Sequence, residues 1–286
     1  MELINLTNLP LIFLETDQVS SGVLTLLFLT PFIIVVPYAL YLVFRYNYWY
    51  NHRPIEKHYK LILERHYAYY RDLPIELKGP FERRVALFVR GKTYYGQHDL
   101  EITDEMRVLV AATAVQITFG FKFFQLPRFS KIFIYPKKYF NQHTKKHHKG
   151  EVYPMGKLIR LSWDNFLHGL KDPEDGINLG LHEMTHAMSL ENRIKSNGAH
   201  SYIDPQAHAL WRKLAIAEME KINRKEKSLF RAYAGTNLEE FLACSVEVFF
   251  EQTQQFNDYH PALYQATCRL LKQDPLPNKS NREYLI

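Results

Sequence analysis

At 286 residues, with 47% hydrophobic and 14% aromatic side chains, the chain carries enough apolar surface to bury a sizeable core, which excludes a disordered protein. Its formal charge of +6 is spread among acidic residues except in one cluster, Lys137-Lys138 and Lys145-Lys146-His147-His148-Lys149, and with no recognised nucleic-acid motif beside it a nucleic-acid partner is not expected. Cys244 and Cys268 both fall within apolar helical patterns, which excludes a disulfide framework and fits burial as small hydrophobes in a reducing compartment.

The first element along the chain is an uncharged run over residues 18–44. Its length predicts one transmembrane helix at about residues 20–44, with a kink near Pro31 and Pro37. Glu2, Glu15 and Asp17 precede it without any Lys or Arg, unlike a signal peptide, and Arg45, Arg53 and Lys57 follow it among Tyr46, Tyr48, Trp49 and Tyr50. This asymmetry predicts a single-pass membrane protein: an anchor over residues 1–50 and a cytoplasmic domain over residues 51–286.

Helical spacing of charged and apolar residues continues over 55–70 and 76–89, with breaks expected near residues 72–74 and at Pro80. Thr103 followed by Asp104 and Glu105 predicts a capped helix running to about Thr118. Strands are expected at 131–135, where Lys-Ile-Phe-Ile-Tyr alternates, and at 158–163. The basic cluster lies between them and reads as a solvated loop, or as a contact for anionic lipid or an acidic partner. Helices are then predicted from Ile177 to about residue 192, over 205–223, over 237–252 with Asn237 as cap, and over 261–272.

The helix from Ile177 contains His182-Glu183-Met184-Thr185-His186, an H-E-x-x-H pentapeptide. In a helix, residues four apart share a face, so both imidazoles can reach one ion at about 2.0–2.1 Å, and Glu183 lies beside that face where its carboxylate can take a proton from an activated water. A third ligand has to come from a later segment. Glu239, Glu240 and Glu247 are the candidates; Glu240 and Glu247 are seven residues apart on nearly one face, so spacing leaves the choice between them open.

The segments 176–186 and 233–243 resemble the Mlc titration factor A family of zinc-dependent peptidases, and the likeness runs over about residues 55–275. The resemblance implies Zn2+ held by His182, His186 and Glu240, Glu183 as general base, Glu247 supporting the ligands from outside, and Tyr233 as the phenol that stabilises the oxyanion. Where the family usually carries Asp, three residues after the second histidine, this chain has Ser189, so Glu191 and Glu247 become candidates to supply the missing hydrogen bond. The membrane segment is a second departure.

The expected fold class is therefore α+β: a mostly helical, zincin-like metallopeptidase domain with a small sheet, preceded by one transmembrane helix. The expected activity is zinc-dependent, aminopeptidase-like hydrolysis of a peptide or protein substrate. The strand at 158–163 is a candidate edge for pairing with an extended peptide. The rival expectation is a membrane-anchored module that sequesters a cytoplasmic regulatory protein with little or no turnover.

Overall fold

The computed structural model describes residues 21–122, 125–142, 144–195 and 203–276. Contacts divide the chain after His52 into two units. In the first, α1 (Ser21–His52) continues as a helix through both Pro31 and Pro37. Its side chains are described over residues 32–48 and are all exposed. Among the described residues no helix is long and apolar enough to cross a membrane. The start of the span expected at 20–44 lies outside the residues whose side chains are described.

The second unit opens with α2 (Lys57–His66), α3 (Ala68–Asp72) and α4 (Ile75–Gly91). Tyr67, extended at φ −124°, separates α2 from α3, where a single helix over 55–70 was expected. The break expected at Pro80 is absent: α4 continues through it and buries Phe81, Val85 and Phe88 beyond it. A proline forfeits one backbone hydrogen bond of the helix, and that apolar face outweighs the loss. Helix α5 (Asp104–Thr118) starts as predicted, with Thr103 Oγ1 accepting from the Met106 N–H at 3.3 Å. It is buried on almost every side and packs against α2, α4 and α7 (Leu179–Lys195).

One sheet contains four strands in the order β1 (Thr93–Gly96), β2 (Lys131–Tyr135), β6 (Leu158–Ser162) and β5 (Gly150–Tyr153). The first three run parallel, and β5 lies antiparallel on β6. Ile132, Ile134, Ile159 and Leu161 send their side chains into the core. β6 is thus an interior strand, not the edge that its sequence position suggested; the free edge beside α7 is β5. The basic segment, expected to be a plain loop, forms a hairpin of β3 (Tyr139–Asn141) and β4 (Lys146–His148).

After β6 come α6 (Trp163–Lys171), α7, α8 (Pro205–Asn223), α9 (Leu238–Glu251), α10 (Thr253–Tyr259) and α11 (Pro261–Leu271). Gly180 lets α7 lie close to its neighbours, since a Cβ there would stand 2.6 Å from the Phe166 ring and 3.0 Å from Thr113 Cγ2. The second unit is α+β, mostly helical with a small sheet, as expected.

Candidate metal centre

The site is built from α7 and α9, which pack on each other. Asn178 precedes α7, and its Oδ1 accepts from the Leu181 N–H at 3.0 Å, which satisfies one of the helix's unpaired donors and fixes where the first turn begins. One turn on, His182 and His186 stand with their rings nearly perpendicular, at 84°, and their Nε2 atoms 3.1 Å apart. Asn237 caps α9 by accepting from the Glu239 and Glu240 N–H groups, both at 3.0 Å. That cap holds Glu240 in the first turn, with its Oε2 3.0 Å from His182 Nε2 and 3.4 Å from His186 Nε2.

Three donor atoms at these mutual separations match one face of a tetrahedron. Ligands about 2.0–2.1 Å from a tetrahedral ion lie about 3.3 Å from one another. His182, His186 and Glu240 therefore fit a metal ion, and their two-imidazole, one-carboxylate set leaves a fourth position open.

The surroundings fix the protonation that such a role requires. Glu247, in the third turn of α9 and almost wholly buried, accepts from His182 Nδ1 at 2.7 Å, so that ring's proton sits on Nδ1 and its Nε2 faces Glu240 and His186. Arg231 grips both oxygens of Glu247, at 2.7 and 3.0 Å, and the Asn178 N–H donates to Glu247 Oε2 at 2.7 Å. Burial opposes charge on His182, but hydrogen bonds to Cys244, Glu240 and Glu247 override it and push the imidazole up to about 12. Burial likewise opposes charge on Glu240, and its bonds to His182 and His186 hold that carboxyl far below the usual range. An ion binding there competes with protonation of the imidazoles.

A second set, His182, Cys244 and Glu247, also lies with its donor atoms within 4.8 Å of one another. The Arg231 guanidinium already occupies Glu247 there, and a cation would meet a positive charge. The first set is the metal centre we favour.

The remaining expected residues fall as follows. Glu183 is buried, with its carboxyl against β5: a Cβ built on Gly150 would stand 2.5 Å from Glu183 Oε1. Burial raises the Glu183 carboxyl to about 7, partly offset by the nearby His182 and His186. Tyr233 sits in a 3-10 turn (Ala232–Gly235), half exposed, with its ring centroid 6.0 Å from that of His182. Burial and the charge of Glu240 raise its pKa, so the phenol keeps its proton and can donate. Ser189 Oγ donates to Glu239 Oε2 at 2.8 Å, and Arg193 holds the other oxygen at 2.7 Å. Glu239 is thereby drawn away from the histidines. Of the two residues considered in place of the missing Asp, Glu247 meets His182, while Glu191 accepts from the Arg128 N–H at 3.0 Å. Arg231's grip on Glu247 and the Asn178 N–H bond to it had no signal in the sequence, because they join residues 16 and 69 positions apart.

An H-E-x-x-H helix beside a sheet edge, facing a carboxylate on a following helix, defines a metallopeptidase-like domain. Residues 43–271 match the glucose-regulated metallo-peptidase M90 family, and the chain belongs to it. An uncharacterized protein of Synechocystis sp. is 25% identical over 241 residues, which are 79% of this chain and 87% of that relative. Mlc titration factor A of Yersinia pestis and that of Yersinia pseudotuberculosis are each 30% identical over 135 residues, 44% of this chain. The match spans about half, 48%, of the length of each of those two relatives. The resemblance read from the segments around His182 and Glu240 is thus borne out at the level of the family.

Proposed function

We propose that the protein is a zinc-dependent peptidase, with His182, His186 and Glu240 as metal ligands and Glu183 as general base. The observation that carries this reading is the convergence of His182 Nε2, His186 Nε2 and Glu240 Oε2 to 3.0–3.4 Å, with the buried Glu183 carboxyl beside them. Zinc bound there supplies Lewis acidity, lowering the pKa of water towards about 7 and polarising a carbonyl oxygen.

The chain's own residues supply the rest. Glu183 takes the proton of the attacking water and passes it to the leaving amine. Tyr233 donates to the oxygen on which negative charge develops. The free edge of β5, against which Glu183 lies, aligns an extended peptide by main-chain hydrogen bonds. Glu247 and Arg231 hold His182 in the one tautomer that binds. Anchoring by the N-terminal helix, with the second unit in the cytoplasm, belongs to the same proposal; its support is the uncharged run over residues 18–44 and the exposed apolar side chains from Phe32 to Phe44.

The test compares metal content and peptide hydrolysis of the wild-type protein with Glu183→Gln. Metal content is expected to stay the same and kcat to fall by about 10²–10⁴. Equal turnover by both proteins would sink the reading. One observation favours a second reading, in which the protein sequesters a regulatory protein with little turnover: the Yersinia relatives are named as titration factors of Mlc. On that reading Glu183→Gln leaves the cellular phenotype intact.

A further inference from the structure

Between Lys137 and Lys149 the chain carries five lysines and no Asp or Glu. All five, Lys137, Lys138, Lys145, Lys146 and Lys149, are exposed, and among the described residues no ion pair engages them. The acidic residue next along the chain, Glu151, is taken up by Arg160 at 2.5 Å and by Asn141 Nδ2 at 3.1 Å to both of its oxygens. That Asn141 bond also ties the β3–β4 hairpin to β5, and Tyr139 stacks on Tyr135 of β2 at 4.1 Å, so the lysines are held in place beside the sheet.

Their place along the sheet edge matters. Lys149 is followed directly by Gly150, the residue of β5 that lies against Glu183. At the other end of the same strand the exposed side chains are Tyr153 and, in the turn that follows, Met155 at 83% exposure and a single lysine, Lys157. The free edge beside the metal centre thus has five lysines at one end and one at the other, where Tyr153 and Met155 add apolar surface, and Glu183 lies near the lysine-rich end.

We propose that this protein selects extended peptides that carry acidic residues on one side of the scissile bond, recognised by the lysines of the β3–β4 hairpin. The inference rests on the peptidase reading and names its substrate class. Lys149 adjoins Gly150 in sequence, so a peptide laid along the β5 edge passes the start of this lysine-rich segment as it leaves Glu183. A patch of one sign at the mouth of a site raises the local concentration of oppositely charged substrate, an effect that acts on KM. An anionic membrane surface fits less well. Phe140 is the one large apolar side chain exposed on the hairpin among the described residues, and it packs edge-on against His147, so a lipid contact there would be electrostatic alone, whereas Lys149 adjoins the strand edge beside Glu183 along which a substrate peptide would run.

The test uses the metal-loaded full chain on a peptide library and on matched peptides with Asp and Glu or with Asn and Gln flanking the cleavage point. Cleavage sites enriched in acidic residues on one side are expected, with KM about tenfold lower for the acidic member of each pair. At 1 M salt, where the Debye length is about 3 Å, that ratio is expected to approach one. It should also be lost in Lys145→Ala/Lys146→Ala/Lys149→Ala and invert towards basic flanks in the corresponding Glu variant. Turnover without charge preference, or a preference that survives in the triple variant, overturns the inference alone. Absence of any hydrolysis overturns the peptidase reading on which it rests. A triple variant that keeps the peptide preference but loses binding to phosphatidylserine–phosphatidylcholine vesicles assigns the hairpin to lipid and also overturns it.

Discussion

Glu247 Oε1 lies 2.7 Å from His182 Nδ1, while His182 Nε2 points at Glu240, 3.0 Å away. One imidazole thus stands between two carboxylates of the same helix, a nitrogen toward each. The outer carboxylate carries its own counterion, Arg231, and so it orients the ring without competing for a metal ion.

Replacing Glu247 by Gln keeps an acceptor for His182 Nδ1 but removes the charge that pairs with Arg231. Metal affinity is expected to weaken about tenfold, and about a hundredfold for Glu247→Ala, which removes the acceptor as well. Competition with a chelator of known affinity measures this. Affinity unchanged in both variants would show that Glu247 has no part in holding the ligand.

A Cβ at position 150 would overlap the Glu183 carboxyl, at 2.5 Å from Oε1 and 2.6 Å from Cδ, and that buried side chain has to yield. Gly150→Ala is therefore expected to displace Glu183, the proposed general base, while leaving His182, His186 and Glu240, the proposed ligands, in place. A misplacement on the order of 1 Å costs about 10² in kcat, with metal content unchanged. Steady-state kinetics beside metal analysis checks both halves. Wild-type kcat in this variant would refute the proposed position of Glu183.

Burial raises the Glu251 carboxyl to about 8 from an ordinary 4.5, with the charges of Asp175 and Glu247 adding to the effect. Its Oε1 accepts from Asn178 Nδ2 at 2.9 Å, and its buried Oε2 has no partner among the described residues. The unfolded chain releases this proton near 4.5 and the folded one near 8, so between those values the folded state binds more protons. Stability contributed by this group therefore falls as pH rises through that window. Glu251→Gln, which stays neutral, is expected to raise Tm at pH 8 by about 2–4 °C for each kcal/mol recovered and to leave it unchanged at pH 4.5. Identical melting curves at pH 8 would contradict the argument.

Much of the second unit was legible from local chemistry. Thr103 and Asn237 announced the helices they cap, Pro205 and Pro261 opened the helices expected there, and the alternation from Lys131 to Tyr135 gave β2. The strands β1, β3, β4 and β5, of three or four residues each, escaped notice. A strand that short has too few residues for alternation to register, and its partners are distant in sequence. Pro80 misled in the other direction, since the buried face that carries α4 past it belongs to tertiary packing.

By itself the sequence determined that His182 and His186 share a face, that Glu183 lies beside it, and that Glu240 and Glu247 share a face of another helix. These are consequences of the helical period and need no partner. It could not decide what each carboxylate does, because residues seven apart are equivalent by periodicity though separated by roughly 10 Å along the axis. Only the packing of α9 on α7 broke that equivalence. It set the first turn of α9 against Nε2 of His182 and the third turn against Nδ1, and it brought Arg231 to the outer carboxylate alone.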